Sequence, residues 1–158
     1  MRLEKPLAPG STIGILGGGQ LGRMLALAAG ELGFSCHIFA PEADSPAFQV
    51  SGAHTVAGYH DFTALEGFAK SVAVVTYEFE NVPGDTAAFL ESRVALAPGS
   101  GALKTAQDRV DEKTFIAGLG IPVAPFAAVN GQPELEAAIA LIGRPSVLKT
   151  RRFGYDGK

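Results

Sequence analysis

The chain has 158 residues, 47% of them hydrophobic and 18% charged, with a net charge of -3. A chain of that length buries roughly 70% of its extended surface on folding, so a core is available and a disordered or fibrous chain is excluded. The acidic balance argues against broad nucleic-acid binding, which needs a basic face, and no apolar run approaches the ~20 residues of a membrane span.

The opening MRLEKPLAPGST lacks the apolar stretch of a secretory signal, so a cytoplasmic location is expected. TIGIL (12–16) is then an apolar run closed by Gly17, Gly18 and Gly19. Behind it Leu21, Met24, Leu25, Ala28 and Leu32 recur at helical spacing, which reads as strand, tight turn and helix. Gly33 ends that helix, and SCHIFA (35–40) supplies a second strand before Pro41. Cys36, the only cysteine, allows no internal disulfide and reads as a small buried hydrophobe. A short strand around 54–58, a helix over 61–70 and the apolar run VAVVTY (72–77) follow. That last run has no polar alternation, which belongs to parallel sheets covered on both faces. With VALAP (94–98) as a last strand, the first hundred residues are expected to form an open, doubly wound parallel α/β sheet.

After Pro98-Gly99-Ser100-Gly101 the character changes, and a domain boundary is placed at about residue 100, giving domains 1–100 and 101–158. The spacing predicts one charged helix over 103–119, a strand around PVAPFAAV (122–129), a turn at Asn130-Gly131, a helix through Leu135, Ala138, Ile139 and Ile142, and a strand SVLKT (146–150). Two or three strands under a helix pair bury too little for a comfortable domain, so this part is expected to open something longer.

Three constellations carry chemistry. Gly17-Gly18-Gly19-Gln20-Leu21-Gly22 follows a strand and opens a helix, where free amides and the helix dipole favour a phosphate. A tight turn needing glycine only for packing is the plainer alternative. Tyr77-Glu78-Phe79-Glu80-Asn81 leaves the run 72–77 and is expected to face the same crevice, because ligands collect at the carboxyl ends of parallel strands. Glu78 and Glu80 are either acceptors for hydroxyls or an amine, or solvated loop acids. Lys149, Arg151 and Arg152 place three cations beside the glycine loop Gly154 to Gly157. Lys149 follows Val147-Leu148 on an apolar strand, where a lysine must snorkel or find an anion, so a polyphosphate under a flexible cover is expected. Lys104 and Asp108 have the spacing of a solvated helical pair. His37, His54 and His60 show no metal-ligand spacing.

GILGGGQLGRMLALAA, PEADSPA, VTYEFENVP, KTAQDRVDEKTFI, GIPVAPF and VLKTRRFGYDGK, in that order, resemble the 5-(carboxyamino)imidazole ribonucleotide synthase family of ATP-grasp ligases from about residue 11 onward. The resemblance implies a preATP-grasp domain followed by the start of a small α+β ATP-grasp lobe. It implies ATP- and bicarbonate-dependent carboxylation of 5-aminoimidazole ribonucleotide through carboxyphosphate in purine biosynthesis, with Mg2+ held by ligands beyond residue 158, in a homodimer. Family members are typically more than twice this length, so the chain is expected to be a fragment inactive by itself. Carried over by position, Arg109, Lys149, Gly154, Tyr155, Asp156, Gly157 and Lys158 are implied to bind ATP, with Tyr155 and Asp156 also near the reacting groups. Gln20 and Leu21 are implied to bind the ribonucleotide phosphate, and Glu78 to face that substrate. Ala40 stands where relatives commonly have Asp, and Phe153 where they often have Gly or Thr, which is expected to stiffen the loop. Two other readings are weighed. A formate-dependent glycinamide ribonucleotide transformylase usually carries Glu in place of Gln20, and YEFENV speaks against it. A Rossmann-type NAD-binding module predicts a nicotinamide nucleotide at Gly17 to Gly22 and leaves Lys149 without a role.

Overall fold

The structure, a computed structural model, describes residues 5–154. It divides into two compact units, separated between residues 103 and 104. Tyr155, Asp156, Gly157 and Lys158 lie outside the described residues.

The first unit is a five-stranded sheet of order β3-β2-β1-β4-β5, in which every pairing is parallel. Its strands are β1 (Thr12–Leu16), β2 (Ser35–Ala40), β3 (Ala53–Val56), β4 (Val74–Tyr77) and β5 (Ala95–Leu96). The helices α1 (Gln20–Glu31), α2 (Phe62–Lys70) and α3 (Gly84–Glu91) connect them, and a short 3-10 turn spans Pro46–Val50. Successive side chains of a strand point to opposite faces, and here both faces are buried. Ile15 and Ile38 pack with Ala26, Ala29, Cys36 and Ala47, whereas their neighbours Leu16 and Phe39 pack with Leu65, Phe68, Val75 and Leu90. That two-sided burial is why these strands lack polar alternation.

The face that α1 buries is not the one that carries its large apolar side chains. Gly22, Ala26 and Ala29 lie against the sheet, while Met24 is 63% and Leu32 71% exposed. The sheet already presents Ile15 and Ile38 there, so only small residues admit the helix at that distance. Leu21, Met24, Leu25 and Leu32 correctly mark a helix, but their stripe faces outward.

Cys36 is buried, and burial pushes its thiol up, so it behaves as a packed hydrophobe. The ring nitrogens of His37 meet the Ser71 and Thr55 hydroxyls at 2.8 Å each, and its ring stands edge-to-face with Phe68, centroids 4.9 Å apart. Burial, and secondarily the charge of His54, lowers His37 below its ordinary value of 6.5. The unfolded chain therefore takes up this proton before the folded protein does. Its contribution to stability is complete above 6.5 and is lost as pH falls through the lowered folded value. Melting temperature is expected to decline as buffers are stepped downward from neutrality, and the decline should be smaller in His37→Asn.

The second unit holds α5 (Arg109–Gly118) and α6 (Gln132–Ile142), preceded by α4 (Ser100–Ala106), which crosses from the first unit. The single helix expected over 103–119 is therefore two. Asp108 adopts an extended conformation and its carboxylate accepts from the Val110 amide at 2.9 Å, starting α5 afresh. A capping aspartate interrupts a helix because its side chain satisfies amides that the preceding turn would otherwise serve. The same role removes Asp108 from the expected pair with Lys104.

The strands expected at 122–129 and 146–150 are not formed among the described residues. Pro122 and Pro125 lack amide donors, and an apolar run becomes a strand only where a neighbour pairs with it. The consequence is an open apolar groove of about 730 Å³ lined by Phe126, Leu135, Ile139, Ile142, Val147 and Leu148. Among the described residues no helix is long and apolar enough to cross a membrane.

Candidate functional site

In the first unit the chain runs β1, β2, β3 to one side of the sheet and then returns to place β4 on the other side of β1. The carboxyl ends of β1 and β4 therefore bound the switch point, where open α/β sheets bind ligands. From β1 come Gly17, Gly18 and Gly19, and from β4 comes Glu78. Gly17 has φ +109°, in the left-handed region, and any Cβ there would run into Glu78. A Cβ on Gly22 would come within 2.5 Å of the Gly17 carbonyl oxygen, so glycine is needed for the helix to start this close to the strand.

Glu78 lies 59 residues from the turn it closes. Its Oε1 accepts from the Gly19 amide at 2.9 Å, and its Oε2 accepts from the Gly22 amide. A carboxylate at a helix N-terminus is favoured by both the free amides and the dipole. Two of the tip's donors are thus taken. The Arg23 amide already bonds the Gly19 carbonyl at 3.0 Å, which leaves the amides of exposed Gln20 and Leu21 open at the helix tip. The chain bends at 78–81 instead of continuing the strand, so Glu78 and Glu80, two residues apart, do not project to the same side as they would from an extended chain.

Sequence reasoning missed the supports of this turn. The Ala47 amide donates to the Gly18 carbonyl at 3.0 Å, and Arg23 Nη1 reaches the Pro46 carbonyl at 2.9 Å and Gln49 Oε1 at 2.7 Å. Residues 45–49 are therefore pinned to both the turn and α1. Tyr59 stands between Phe39 and Phe79, with ring centroids 6.1 and 6.3 Å away. Burial first, and then the charges of Glu42 and Glu78, push its phenol far up, so Tyr59 stays a neutral donor at every physiological pH. Nothing at the level of motif marks a lone tyrosine in a loop.

In the second unit Arg109 and Gly154 are brought together, Arg109 Nη2 donating to the Gly154 carbonyl at 3.4 Å. The Arg109 amide also donates to the Arg151 carbonyl at 3.0 Å. Lys149 is exposed, as are Val147 and Leu148 beside it, so the expectation of a lysine half-sunk in an apolar strand is corrected. With no strand there, its ammonium has water instead of an apolar wall. Asp108 was not singled out as a site residue. Burial would raise its carboxyl, but hydrogen bonds from Arg151 and from the Val110 and Asp111 amides outweigh that and hold it below the usual range. Among the described residues no group of three His, Cys, Asp or Glu side chains could hold a metal ion.

Residues 10–107 match the family described as the ribonucleotide synthetase preATP-grasp domain. Over 152 residues the chain is 51% identical to a bifunctional purine synthesis protein of Dictyostelium discoideum, an alignment covering 96% of this chain and 15% of that protein. It is 48% identical over 152 residues to N5-carboxyaminoimidazole ribonucleotide synthase of Brucella melitensis biotype 1, covering 96% of this chain and 42% of that one. Among solved structures, the ADP complex of an N5-carboxyaminoimidazole ribonucleotide synthetase superposes with a TM-score of 0.93 at 46% identity, over 99% of this chain and 41% of that chain. The chain thus spans about two-fifths of the length of these synthases.

Proposed function

The chain belongs to the ribonucleotide synthetase preATP-grasp family, and from that premise we propose that it forms part of an ATP-grasp ligase of purine biosynthesis, acting in the cytoplasm. The reaction is the carboxylation of the exocyclic amine of 5-aminoimidazole ribonucleotide with ATP and bicarbonate. A bicarbonate oxygen attacks the γ-phosphorus of ATP, and ADP leaves. The substrate amine then attacks the carbon of the resulting carboxyphosphate, releasing phosphate as the amine loses a proton. Residues 1–100 are assigned as the preATP-grasp domain and 101–158 as the beginning of the ATP-grasp domain.

The observation that carries this reading is the helix tip at the switch point. Its two open amides, Gln20 and Leu21, suit a phosphate monoester, which would have the dipole in its favour. Glu78 keeps unused lone pairs after bonding Gly19 and Gly22, so it still accepts from substrate hydroxyls or an amine. In the second unit Arg109, Lys149 and the loop from Gly154 are assigned to ATP, with Tyr155 and Asp156 near the reacting groups. Cations suit that role because phosphoryl transfer depends on positioning and charge neutralisation. The described residues offer no metal cluster, so the magnesium that accompanies ATP is assigned to carboxylates outside them and no step is routed through it. A homodimer is proposed as well, with the outward apolar stripe of α1 as a surface that supports it.

The test is ADP release by the full-length protein. It should require ATP, bicarbonate and 5-aminoimidazole ribonucleotide together, and a preference for NADH over ATP in binding would overturn the reading. In the same assay Gln20→Pro, which removes the first open amide at the helix position that tolerates proline, is expected to raise the KM for the ribonucleotide about tenfold, the scale of one lost charge-assisted hydrogen bond, and to leave the KM for ATP unchanged.

A further inference from the structure

Three consecutive residues at the break between α4 and α5 hold three of the four residues 151–154. Asp108 receives Arg151 in a forked pair, Nε at 3.1 and 3.0 Å from its two oxygens and Nη2 at 2.9 Å from Oδ2. Gln107 Oε1 accepts from Arg152 Nη2 at 2.9 Å, and Arg109 bonds the carbonyls of Arg151 and Gly154. Gln107 and Asp108 are buried, although little else in this unit is. Between the held residues, Phe153 has φ +56°, a left-handed conformation that a residue with a side chain rarely adopts. Such a conformation persists only where its surroundings over-determine it.

From this geometry we infer that Gln107, Asp108 and Arg109 form a clasp that sets the conformation of residues 151–154, and that Asp108 and Arg151 are positioning residues for ATP. This rests on the assignment of ATP to the second unit and adds to it a division of labour among the cations. Lys149 is free for the ligand, whereas Arg151 and Arg152 are occupied in holding the chain. The forked geometry requires a guanidinium, since an ammonium offers no second parallel donor. Asp108 also starts α5, so the informative variant is Asp108→Asn, because asparagine caps a helix as well as aspartate does while it removes the charge and turns the second acceptor into a donor that faces the guanidinium.

The experiment uses the full-length protein and the variants Asp108→Asn, Arg151→Gln, their double variant and Arg151→Lys. Each of the first two is expected to raise the KM for ATP about tenfold with little change in kcat, as for a lost hydrogen bond to a charged group. The double variant should be no worse than the poorer single, and lysine should rescue only in part. With ATP absent, trypsin should cut after Arg151 and Arg152 faster in Asp108→Asn than in the wild type, and after Arg152 faster in Arg151→Gln, which keeps only the second of these sites. Additive effects, or an unchanged ATP KM in both singles, would overturn the positioning role. Unchanged cutting would overturn the clasp itself. If the wild type does not use ATP, the parent assignment fails, and the tryptic rates still decide whether the clasp exists.

Discussion

Glu78→Ala is expected to remove ribonucleotide binding and lower the melting temperature of the full-length protein, and Glu78→Gln is expected to do nearly as much harm. The carboxylate offers one oxygen to Gly19 and the other to Gly22. An amide side chain has a single oxygen, so its NH2 would face one of those two N–H groups, donor against donor. Loss of such a cap costs about 1–2 kcal/mol, and leaving a donor unpaired adds a similar amount. For a domain of this size each kcal/mol lowers the melting temperature by roughly 2–8 °C. The turn would also lose the group that fills the space beside Gly17, where φ +109° already leaves little freedom to rearrange. Calorimetry with a ribonucleotide monophosphate checks both parts. If Glu78→Gln bound and melted like the wild type, the two-acceptor account of this turn would be wrong.

Lys149→Ala is the converse case, a large functional loss without a structural one. Lys149 and its apolar neighbours are exposed, and a surface substitution of that kind changes stability by no more than about 0.5 kcal/mol. Removing a cation that neutralises phosphoryl charge costs about 100-fold or more in rate, the scale found for single groups that stabilise a charged transition state. The variant of the full-length protein should therefore melt with the wild type while its kcat/KM for ATP falls by about that factor. Wild-type kinetics would remove Lys149 from the ATP site.

Much of the first unit was legible because its signals are local. Glycine placement at Gly17 to Gly22, the helical recurrence behind it, and the apolar runs at 12–16 and 72–77 depend only on neighbours in the chain. The same local signals failed where a partner decides. The stripe through Met24 and Leu32 marked α1 correctly but could not tell which side the sheet would accept. The runs at 122–129 and 146–150 have strand composition, yet no described neighbour pairs with them. Helical periodicity ran unbroken through Asp108, and the competing cap was visible only as an aspartate preceding Val110 and Asp111.

By itself the sequence determined the parallel sheet, the glycine turn at its first strand and the residue types suited to phosphate. Period and turn chemistry act over a few residues and need no distant partner. Only the tertiary structure decided that Glu78 closes that turn and that Arg151 is tied to Asp108, pairs 59 and 43 residues apart. Those pairings follow from strand order and from the break before α5, which bring together side chains that no spacing rule connects.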